Sequence, residues 1–335
     1  MTAPLDHQLA AYLAHRHSNA VVSDFDFLVS GFESELYTFC LQLPKSTRKN
    51  YILRLFTGEG ATEKLLREAR GLSLLGKAGY PVPGLLLQEL DVAIFGEPFE
   101  IIEKLEGQAL WPALATVESG RVNQLLSRFA SLLAQLHKLD WRSFLENSDT
   151  VEKHPLQLLE ESIAHYRSLY RKYDLEGFLQ IVDWLDAHKH EISVRPSAIH
   201  QDFHANNVLL SSEDQLFVID WTQFAVSDYR IDLCWTLMIM GDLGNADWGK
   251  LIFDSYASEF NVPIEHLEYF NVLAYMKLLA STVIAFTYGP DEVGLRPNAI
   301  QLTSEHLSIY KQFSQRVQNI TRLTVPELEK VLNKI

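Results

Sequence analysis

The stretch that decides the fold reads AIHQDFHANNVLLSSEDQLFVIDW and spans residues 198–221. Two short apolar runs, Val208–Leu210 and Leu216–Ile219, lie on either side of a polar loop, and this arrangement predicts a β-hairpin. Helical patterns precede and follow the stretch, so the hairpin lies inside an otherwise helical half of the chain. A hairpin of this kind is a rigid base for the polar residues at its two ends.

Those polar residues form the pattern H-x-D-x-x-x-x-N before the hairpin and a single aspartate after it. They are His200, Asp202, Asn207 and Asp220. A carboxylate such as Asp202 can orient an attacking hydroxyl and accept its proton, while Asn207 and Asp220 offer the hard oxygen ligands that Mg²⁺ prefers. The H-x-D spacing alone also arises by chance in loops, but the hairpin and its terminal aspartate make the pattern specific. The stretch therefore predicts phosphoryl transfer.

Upstream of this stretch the chain alternates in a way that is typical of a small sheet with one helix. Apolar runs with strand periodicity cover Asp26–Val29, Glu35–Leu43, Asn50–Phe56, 85–88 and 99–103, and a helical pattern covers 61–78. Downstream the patterns are mainly helical. We predict an α+β fold with a small N-terminal lobe at 1–104, built on an antiparallel sheet with one long helix, a hinge or connector at 105–109 and a larger helical lobe at 110–335.

Length and charge limit the classes of protein. The chain has 335 residues, which favours two domains, and a formal net charge of −14, so neither a nucleic acid nor an anionic membrane is expected as a partner. Its two cysteines, Cys40 and Cys234, form no disulfide or metal pattern, and this favours the cytoplasm. The longest apolar run, Phe270–Tyr288, contains Asn271 and Lys277, and we predict a buried helix there instead of a membrane span.

The motifs resemble those of the aminoglycoside phosphotransferase and choline kinase family, which has a protein-kinase-like bilobal fold. The family shows H-G-D-x-x-x-x-N, then I-D-[WF], then D-L near the start of a helix. Here these are His200-Gln201-Asp202 to Asn207, Ile219-Asp220-Trp221 and Asp232-Leu233. The resemblance implies that Asp202 is the catalytic base, that Asn207 and Asp220 bind Mg²⁺, and that Asp232 braces the catalytic loop.

The same resemblance implies the position of an ATP site. Arg54 occupies the strand position of the usual phosphate-binding lysine, and Glu68 is the helix carboxylate that pairs with it. Main-chain groups of Glu103 and Leu105 are expected to contact the adenine, and Gly31 lies in the expected phosphate-covering turn. ATP and Mg²⁺ are therefore the expected co-substrate and cofactor, with GTP left open.

Several residues depart from the family pattern or allow two interpretations. Arg54 replaces lysine, Gln201 replaces glycine, and Thr222 stands where an acidic residue is frequent. His204 is interpreted either as a substrate-facing residue or as loop packing, and Trp235 is interpreted as core. These departures affect the choice of substrate subfamily more than the chemistry.

The sequence favours a kinase that phosphorylates a hydroxyl of a small molecule. The alternatives are a nucleotide-binding scaffold without turnover and a protein kinase, although the chain has neither D-F-G nor A-P-E. Aminoglycosides, choline, homoserine-like amino alcohols, macrolides and sugars all stay open as acceptors. Residues 151–270 contain 20 acidic and 8 basic side chains. Solubility explains such an excess, and so does an ammonium-bearing acceptor attracted by the field.

Overall fold

The structure is a computed structural model that describes residues 4–30, 34–44, 46–145, 154–294 and 299–334. The chain divides into two compact units, the first formed by Met1–Ala113 with Asn206–Phe224, and the second by Leu114–Ala205 with Ala225–Ile335. The sequence-based boundary placed 206–224 in the second lobe, whereas the contacts group this segment with the first. The hinge at 105–109 stays a prediction.

The first unit is built on a five-stranded antiparallel sheet with one long helix, as predicted. The elements are α1 (Leu5–Arg16), β1 (Val21–Ser30), β2 (Ser34–Gln42), β3 (Lys49–Phe56), α2 (Ala61–Lys77), β4 (Leu85–Glu89) and β5 (Phe99–Glu103). The strand order in the sheet is β1-β2-β3-β5-β4. Apolar residues of α1 and of the sheet form one core cluster, and Leu65 and Ala69 of α2 belong to a second cluster with Phe56. This packing fixes the face of α2 that carries Glu68.

The predicted hairpin is present in the first unit and belongs to a three-stranded sheet. Its strands are β8 (Val208–Ser211) and β9 (Leu216–Val218), and β6 (Gly107–Ala109) pairs with β8 on the other side. We expected only a connector at β6. A strand forms there because Gly107 approaches the partner strand closely, and a Cβ at this position would lie 2.5 Å from the Leu210 carbonyl oxygen. A further hydrogen bond, from Val218 N–H to the Pro81 carbonyl at 2.9 Å, ties the hairpin to the first unit.

The second unit is mainly helical, as predicted. Its helices are α4 (Ser119–Lys138), α5 (Pro155–Lys172), α6 (Glu176–His188), α7 (Arg230–Leu237), α8 (Ala246–Phe260), α9 (Leu267–Tyr288), α10 (Ala299–Glu305), α11 (Leu307–Thr321) and α12 (Pro326–Leu332), while α3 (Leu110–Thr116) spans the division between the units. A two-stranded sheet joins β7 (Pro196–Ile199) to β10 (Ala225–Asp228). Helices α10 and α11 are separated at His306, whose backbone, with φ −109° and ψ 18°, leaves the helical conformation.

The apolar run that suggested a buried helix forms α9. By length and composition this helix could cross a membrane, but 67% of its 18-residue apolar stretch is buried inside the structure. Phe270, Leu273, Met276 and Leu279 are among its residues in the large core cluster of the second unit. Burial of this extent is typical of the core helix of a globular unit.

Candidate functional site

Three of the predicted site residues meet in the first unit, around the guanidinium of Arg54. Nη1 donates to both carboxylate oxygens of Glu68, at 2.8 and 2.6 Å, and Nη2 donates to Oδ1 of Asp220 at 3.3 Å. Nε donates to the Ser34 hydroxyl at 3.1 Å. The strand, the helix and the hairpin each contribute one charged group. The pairing of Arg54 with Glu68 is therefore confirmed as geometry, while its role toward a nucleotide stays a prediction.

Asp220 and Asn207 lie at the two ends of the hairpin. Asn207 ends a short 3₁₀ turn, and its carbonyl accepts the N–H of Ile219 at 3.0 Å, which ties the residue before Asp220 to the start of the hairpin. Asp220 has a left-handed backbone with φ 64°, a conformation that Asp and Asn tolerate better than other residues with a side chain. The Thr222 hydroxyl donates to Asp220 Oδ1 at 3.2 Å, so this departure from the family pattern supports the aspartate.

Glu100 is a fourth member of this group that the sequence analysis missed. It lies opposite Arg54 in the register of β3 and β5, is fully buried, and finds no hydrogen-bond partner for either carboxyl oxygen among the described residues. The signal was a charged residue inside the apolar strand Phe99–Glu103. We call Arg54, Glu68, Glu100 and Asp220 the Arg54 cluster.

Burial and mutual repulsion dominate the protonation of the Arg54 cluster. Burial raises the pKa of Glu100 well above its ordinary value of 4.5, and the Glu68 carboxylate raises it further, while Arg54 opposes both. Burial also raises the pKa of Glu68 to about 7, again against the effect of Arg54. One guanidinium thus faces three carboxyl groups, and the cluster has more acidic groups than it can neutralise.

The chemistry of Asp220 and Asn207 fits a Mg²⁺ ion. A carboxylate and an amide oxygen are the hard ligands that Mg²⁺ binds, and the Asp220 side chain is 41% exposed, so an ion can reach it. Among the residues that the structure describes, no group of three or more His, Cys, Asp or Glu could hold a metal ion by itself. A Mg²⁺ ion bound with a nucleotide commonly takes one or two protein carboxylates and completes its coordination shell with phosphate oxygens and water.

The other nucleotide-site predictions concern the main chain. Glu103 ends β5, where its N–H donates to the Gly84 carbonyl at 2.7 Å, and Leu105 lies partly buried between β5 and β6. Their contacts with an adenine stay a prediction. Gly31, in the predicted phosphate-covering turn, lies outside the described residues.

In the second unit, the loop after β7 carries the predicted base. Asp232, at the start of α7, is fully buried and accepts the N–H groups of His200 and Gln201 at 2.7 and 2.6 Å. The His137 imidazole lies 3.4 Å from the same carboxylate. Asp232 thus braces the loop through its backbone, as the resemblance implied. Gln201 takes a left-handed conformation with φ 67°, which explains why glycine is usual there in the family.

Asp202 is surrounded by donors and cations. The Trp235 indole Nε1–H donates to Oδ1 at 2.9 Å, and His204 Nε2 lies 3.4 Å from the same oxygen. Burial alone would raise the pKa of the Asp202 carboxyl, but His204, Lys277 and His200 hold it well below its usual range. Asp202 therefore stays ionised at neutral pH. We call the segment with Gln201, Asp202 and His204 the Asp202 loop, and Trp235 of α7 and Lys277 of α9 its supports.

The site contains residues whose part the sequence did not reveal. Trp235, interpreted as core, is buried but also bonds Asp202. Lys277 donates to the Gln201 carbonyl at 2.6 Å. Its only signal was a lysine inside an apolar helical run. The structure thus joins Arg54, Glu68 and Asp220 in one unit, and gives Asp202 its own set of contacts in the other.

The family of the chain follows from comparison with known proteins. The model of the phosphotransferase enzyme family matches residues 30–263, and the chain belongs to that family. A mouse protein, acyl-CoA dehydrogenase family member 10, is 24% identical over 180 residues, which are 51% of this chain and 16% of that protein. The chain thus spans about one sixth of the length of this curated relative.

Solved structures show the same fold. A Ralstonia eutropha protein assigned to the aminoglycoside phosphotransferases superposes with a TM-score of 0.66 at 16% identity, and 98% of each chain is covered. The ternary complex of APH(2″)-IIa with streptomycin and ATP gives 0.55 at 18% identity, with 92% of this chain and 99% of that one covered. LicA in complex with AMP gives 0.58 at 18% identity, with 95% and 99% covered. The predicted family, fold class and class of enzyme, a phosphotransferase, are confirmed.

Proposed function

We propose that this member of the phosphotransferase enzyme family transfers the γ-phosphoryl group of ATP to a hydroxyl of a small molecule. The observation that carries the proposal is the ionised, well-held Asp202, together with the Arg54 cluster that supplies the residues for phosphate and metal. A nucleotide co-substrate is supported by the similar solved structures, which are complexes with ATP, ADP, AMP or GDP. We propose ATP as the phosphoryl donor, and GTP is the alternative donor to compare with it.

Each residue has a stated part in the proposed reaction. Asp202 accepts a hydrogen bond from the acceptor hydroxyl and aims its oxygen at the γ-phosphorus. It takes the hydroxyl proton late, as the new P–O bond is completed and after the bond from the γ-phosphorus to the ADP leaving group has largely broken. Arg54 binds phosphate oxygens, with Glu68 setting the direction of its guanidinium. Asp220 and Asn207 would hold Mg²⁺, which when bound neutralises charge on the phosphates. The low pKa of Asp202 suits a transition state in which bond formation to the hydroxyl is slight and proton transfer is late.

The acceptor is proposed as a small hydroxyl compound, and its charge is a separate question. The acidic excess of residues 151–270 favours an ammonium-bearing acceptor by long-range attraction. Beside the Asp202 carboxylate itself lie the Trp235 N–H donor and the positive charge of Lys277, and these two groups disfavour an ammonium next to the reacting hydroxyl. We therefore propose that any amine of the acceptor lies away from the hydroxyl that is phosphorylated.

The test is ATP-to-ADP conversion with Mg²⁺ and a panel of acceptors. The panel contains aminoglycosides, choline, ethanolamine, homoserine, a macrolide, neutral sugars and anionic hydroxy compounds, and a mixed protein substrate tests the protein-kinase alternative. We expect acceptor-dependent turnover with one small-molecule class and none with protein. ATP binding without turnover across the panel would favour the scaffold alternative.

Ionic strength separates the two explanations of the acidic excess. If attraction of a cationic acceptor matters, kcat/KM for it falls steeply with salt, because screening acts over a Debye length of about 8–10 Å. The KM for ATP should change less. A neutral or anionic acceptor that turns over best without a salt penalty would reject the cationic acceptor and leave the phosphotransferase proposal in place.

A further inference from the structure

A lysine and a tryptophan beside Asp202 have no part in the reaction proposed above. Lys277 is the one lysine or arginine of α9, a helix that otherwise packs apolar residues into the core of the second unit. Burial lowers the pKa of Lys277, while Asp202 and Asp232 oppose that effect. Lys277 is only partly buried, but a partly buried ammonium is still costly unless it is compensated, so its position requires an explanation beyond packing.

The contacts of Lys277 supply that explanation. Its ammonium donates to the carbonyl of Gln201, the residue before Asp202, at 2.6 Å. The same ammonium lies 4.2 Å from the centre of the Trp235 ring, within the range of a cation–π interaction. One cation thus holds the backbone next to Asp202 and the face of the indole that binds Asp202.

The contact of Trp235 completes the chain of interactions. Its indole Nε1–H donates to Asp202 Oδ1 at 2.9 Å, a hydrogen bond to a charged acceptor with good length. A bond of this kind limits the carboxylate to one orientation. The Trp235 side chain is itself buried in the core, so the donor cannot move far. The indole position is therefore fixed from both sides, by the core and by Lys277.

We propose that Trp235 and Lys277 are positioning residues for Asp202: Trp235 fixes the orientation of the carboxylate, and Lys277 fixes both Trp235 and the backbone of the loop. The inference rests on the proposed function, in which Asp202 is the base. Neither residue contacts the reacting atoms in this scheme. Their effect is on the alignment of the carboxylate, which acts on the chemical step and not on nucleotide binding.

The test compares kcat and the KM for ATP among matched variants, using Mg²⁺-ATP and the panel acceptor with the fastest turnover. Trp235→Phe keeps the ring and removes the donor, and we expect kcat to fall about 10- to 100-fold with KM for ATP changed less than about threefold. Lys277→Met keeps the length and removes the charge, and a fall of about 10-fold is expected. Lys277→Arg keeps a cation that can stack and donate, and should recover most of the loss.

Trp184→Phe is the control, because Trp184 is a second tryptophan of the same unit, partly buried, that stacks on His188 instead. It should leave kcat unchanged. Thermal midpoints and ATP affinity identify variants that are poorly folded. If Trp235→Phe proves unstable, the pair Lys277→Met and Lys277→Arg carries the same test, since rescue by arginine is not expected of a residue that only fills space.

A double-mutant comparison separates positioning from general loosening. In an Asp202→Asn background, Trp235→Phe should have little further effect on the residual rate, because the residue acts through the missing carboxylate. An equal loss in both backgrounds, or a normal kcat for Trp235→Phe, overturns the inference. A normal rate for Asp202→Asn alone would instead overturn the proposed function, so the two failures are distinguishable.

Discussion

The Arg54 cluster in the first unit and the Asp202 loop in the second shift the pKa values of their carboxyl groups in opposite directions. In the cluster, Glu68, Glu100 and Asp220 share one guanidinium, and burial and repulsion raise the pKa values of both glutamates. In the loop, a single carboxylate receives an indole N–H and the field of nearby cations, and its pKa is lowered. One region has too little positive charge for its acids, and the other has an ample supply.

This contrast indicates what each region is suited to do. An excess of carboxyl groups favours the entry of a further cation, and Asp220, the most exposed carboxylate of the cluster, is the group that a metal ion can reach. A carboxylate held ionised and fixed is suited to orient a hydroxyl in every catalytic cycle. The predictions below test the contrast from the largest expected effect to the smallest.

The largest effect is expected from Asp202→Asn, which removes the ionised acceptor and keeps the size of the side chain. We expect kcat to fall by about 10²- to 10⁴-fold, the range of general bases, with little change in ATP affinity. Steady-state kinetics and nucleotide titration measure both. Asp174→Asn is the control, since Asp174 is exposed in the same unit. Near-normal turnover of Asp202→Asn would show that Asp202 is not the base.

The next effect concerns the metal ligands. Asp220→Asn is preferable to alanine because the left-handed backbone of Asp220, with φ 64°, accepts asparagine, so loss of charge is separated from strain. Mg²⁺-dependent turnover should fall about 100-fold or more, and Asn207→Ala should lose less because a neutral ligand is removed. Titration of turnover with Mg²⁺ measures this.

Asp214→Asn is a matched control for Asp220→Asn. It makes the same replacement in the same hairpin, and Asp214 is also left-handed, with φ 61°, but lies exposed in the turn. It should leave the Mg²⁺ dependence unchanged. Full activity of the wild-type protein after thorough chelation would contradict the metal role of both predicted ligands.

Features of the fold and site that depend on neighbouring residues in the chain could be predicted from the sequence. Features that depend on how distant segments pack together could not. The hairpin and Asp220 follow from local periodicity and spacing, whereas Arg54 and Glu68 are identified through the order of motifs in the family that the sequence resembles. The bond between Trp235 and Asp202 depends on how α7 packs, and a buried tryptophan gives no local sign of its N–H partner. Glu100 became significant only through the strand register that places it opposite Arg54.

The position of Glu100 predicts a pH-dependent stability. Its pKa is raised in the folded state above the ordinary value of 4.5, so folded Glu100 keeps a proton that the unfolded chain loses. Its contribution to stability is therefore complete below about pH 4.5 and is lost as the pH rises toward the folded pKa. Glu100→Gln, which cannot ionise, should be more stable than the wild type at neutral pH, and the difference should vanish as the pH falls below about 4.5.

Denaturant unfolding between about pH 4 and pH 8 measures this difference. Glu100→Met, which also removes the unsatisfied polar atoms, should be the more stable of the two, by about 1–3 kcal/mol over the wild type at neutral pH. Glu213→Gln, at an exposed position of the hairpin loop, is the control and should follow the wild type. Equal stability of wild type and Glu100→Gln at every pH would show that Glu100 is not held protonated. Glu68 would then be the carboxyl group of the Arg54 cluster with a raised pKa on which the contrast rests.

The smallest effect is expected from Gln201→Gly, at the position where the Asp202 loop departs from the family pattern. Its φ of 67° costs a residue with a side chain about 1–2 kcal/mol, which glycine avoids. Glycine also loses more chain entropy on folding, so Gln201→Gly should gain at most about 1 kcal/mol. Its catalytic rate should be retained, because the bonds to Asp232 and Lys277 are made by the N–H and the carbonyl of this residue, which glycine also has. Gln201→Val, whose branched Cβ disfavours the left-handed conformation, should instead lose about 1–3 kcal/mol and lower kcat, since strain there moves the carbonyl that Lys277 binds. Thermal unfolding and kinetics of the two variants side by side test this, and equal behaviour of glycine and valine would show that backbone conformation at Gln201 does not contribute to the fixed orientation of Asp202.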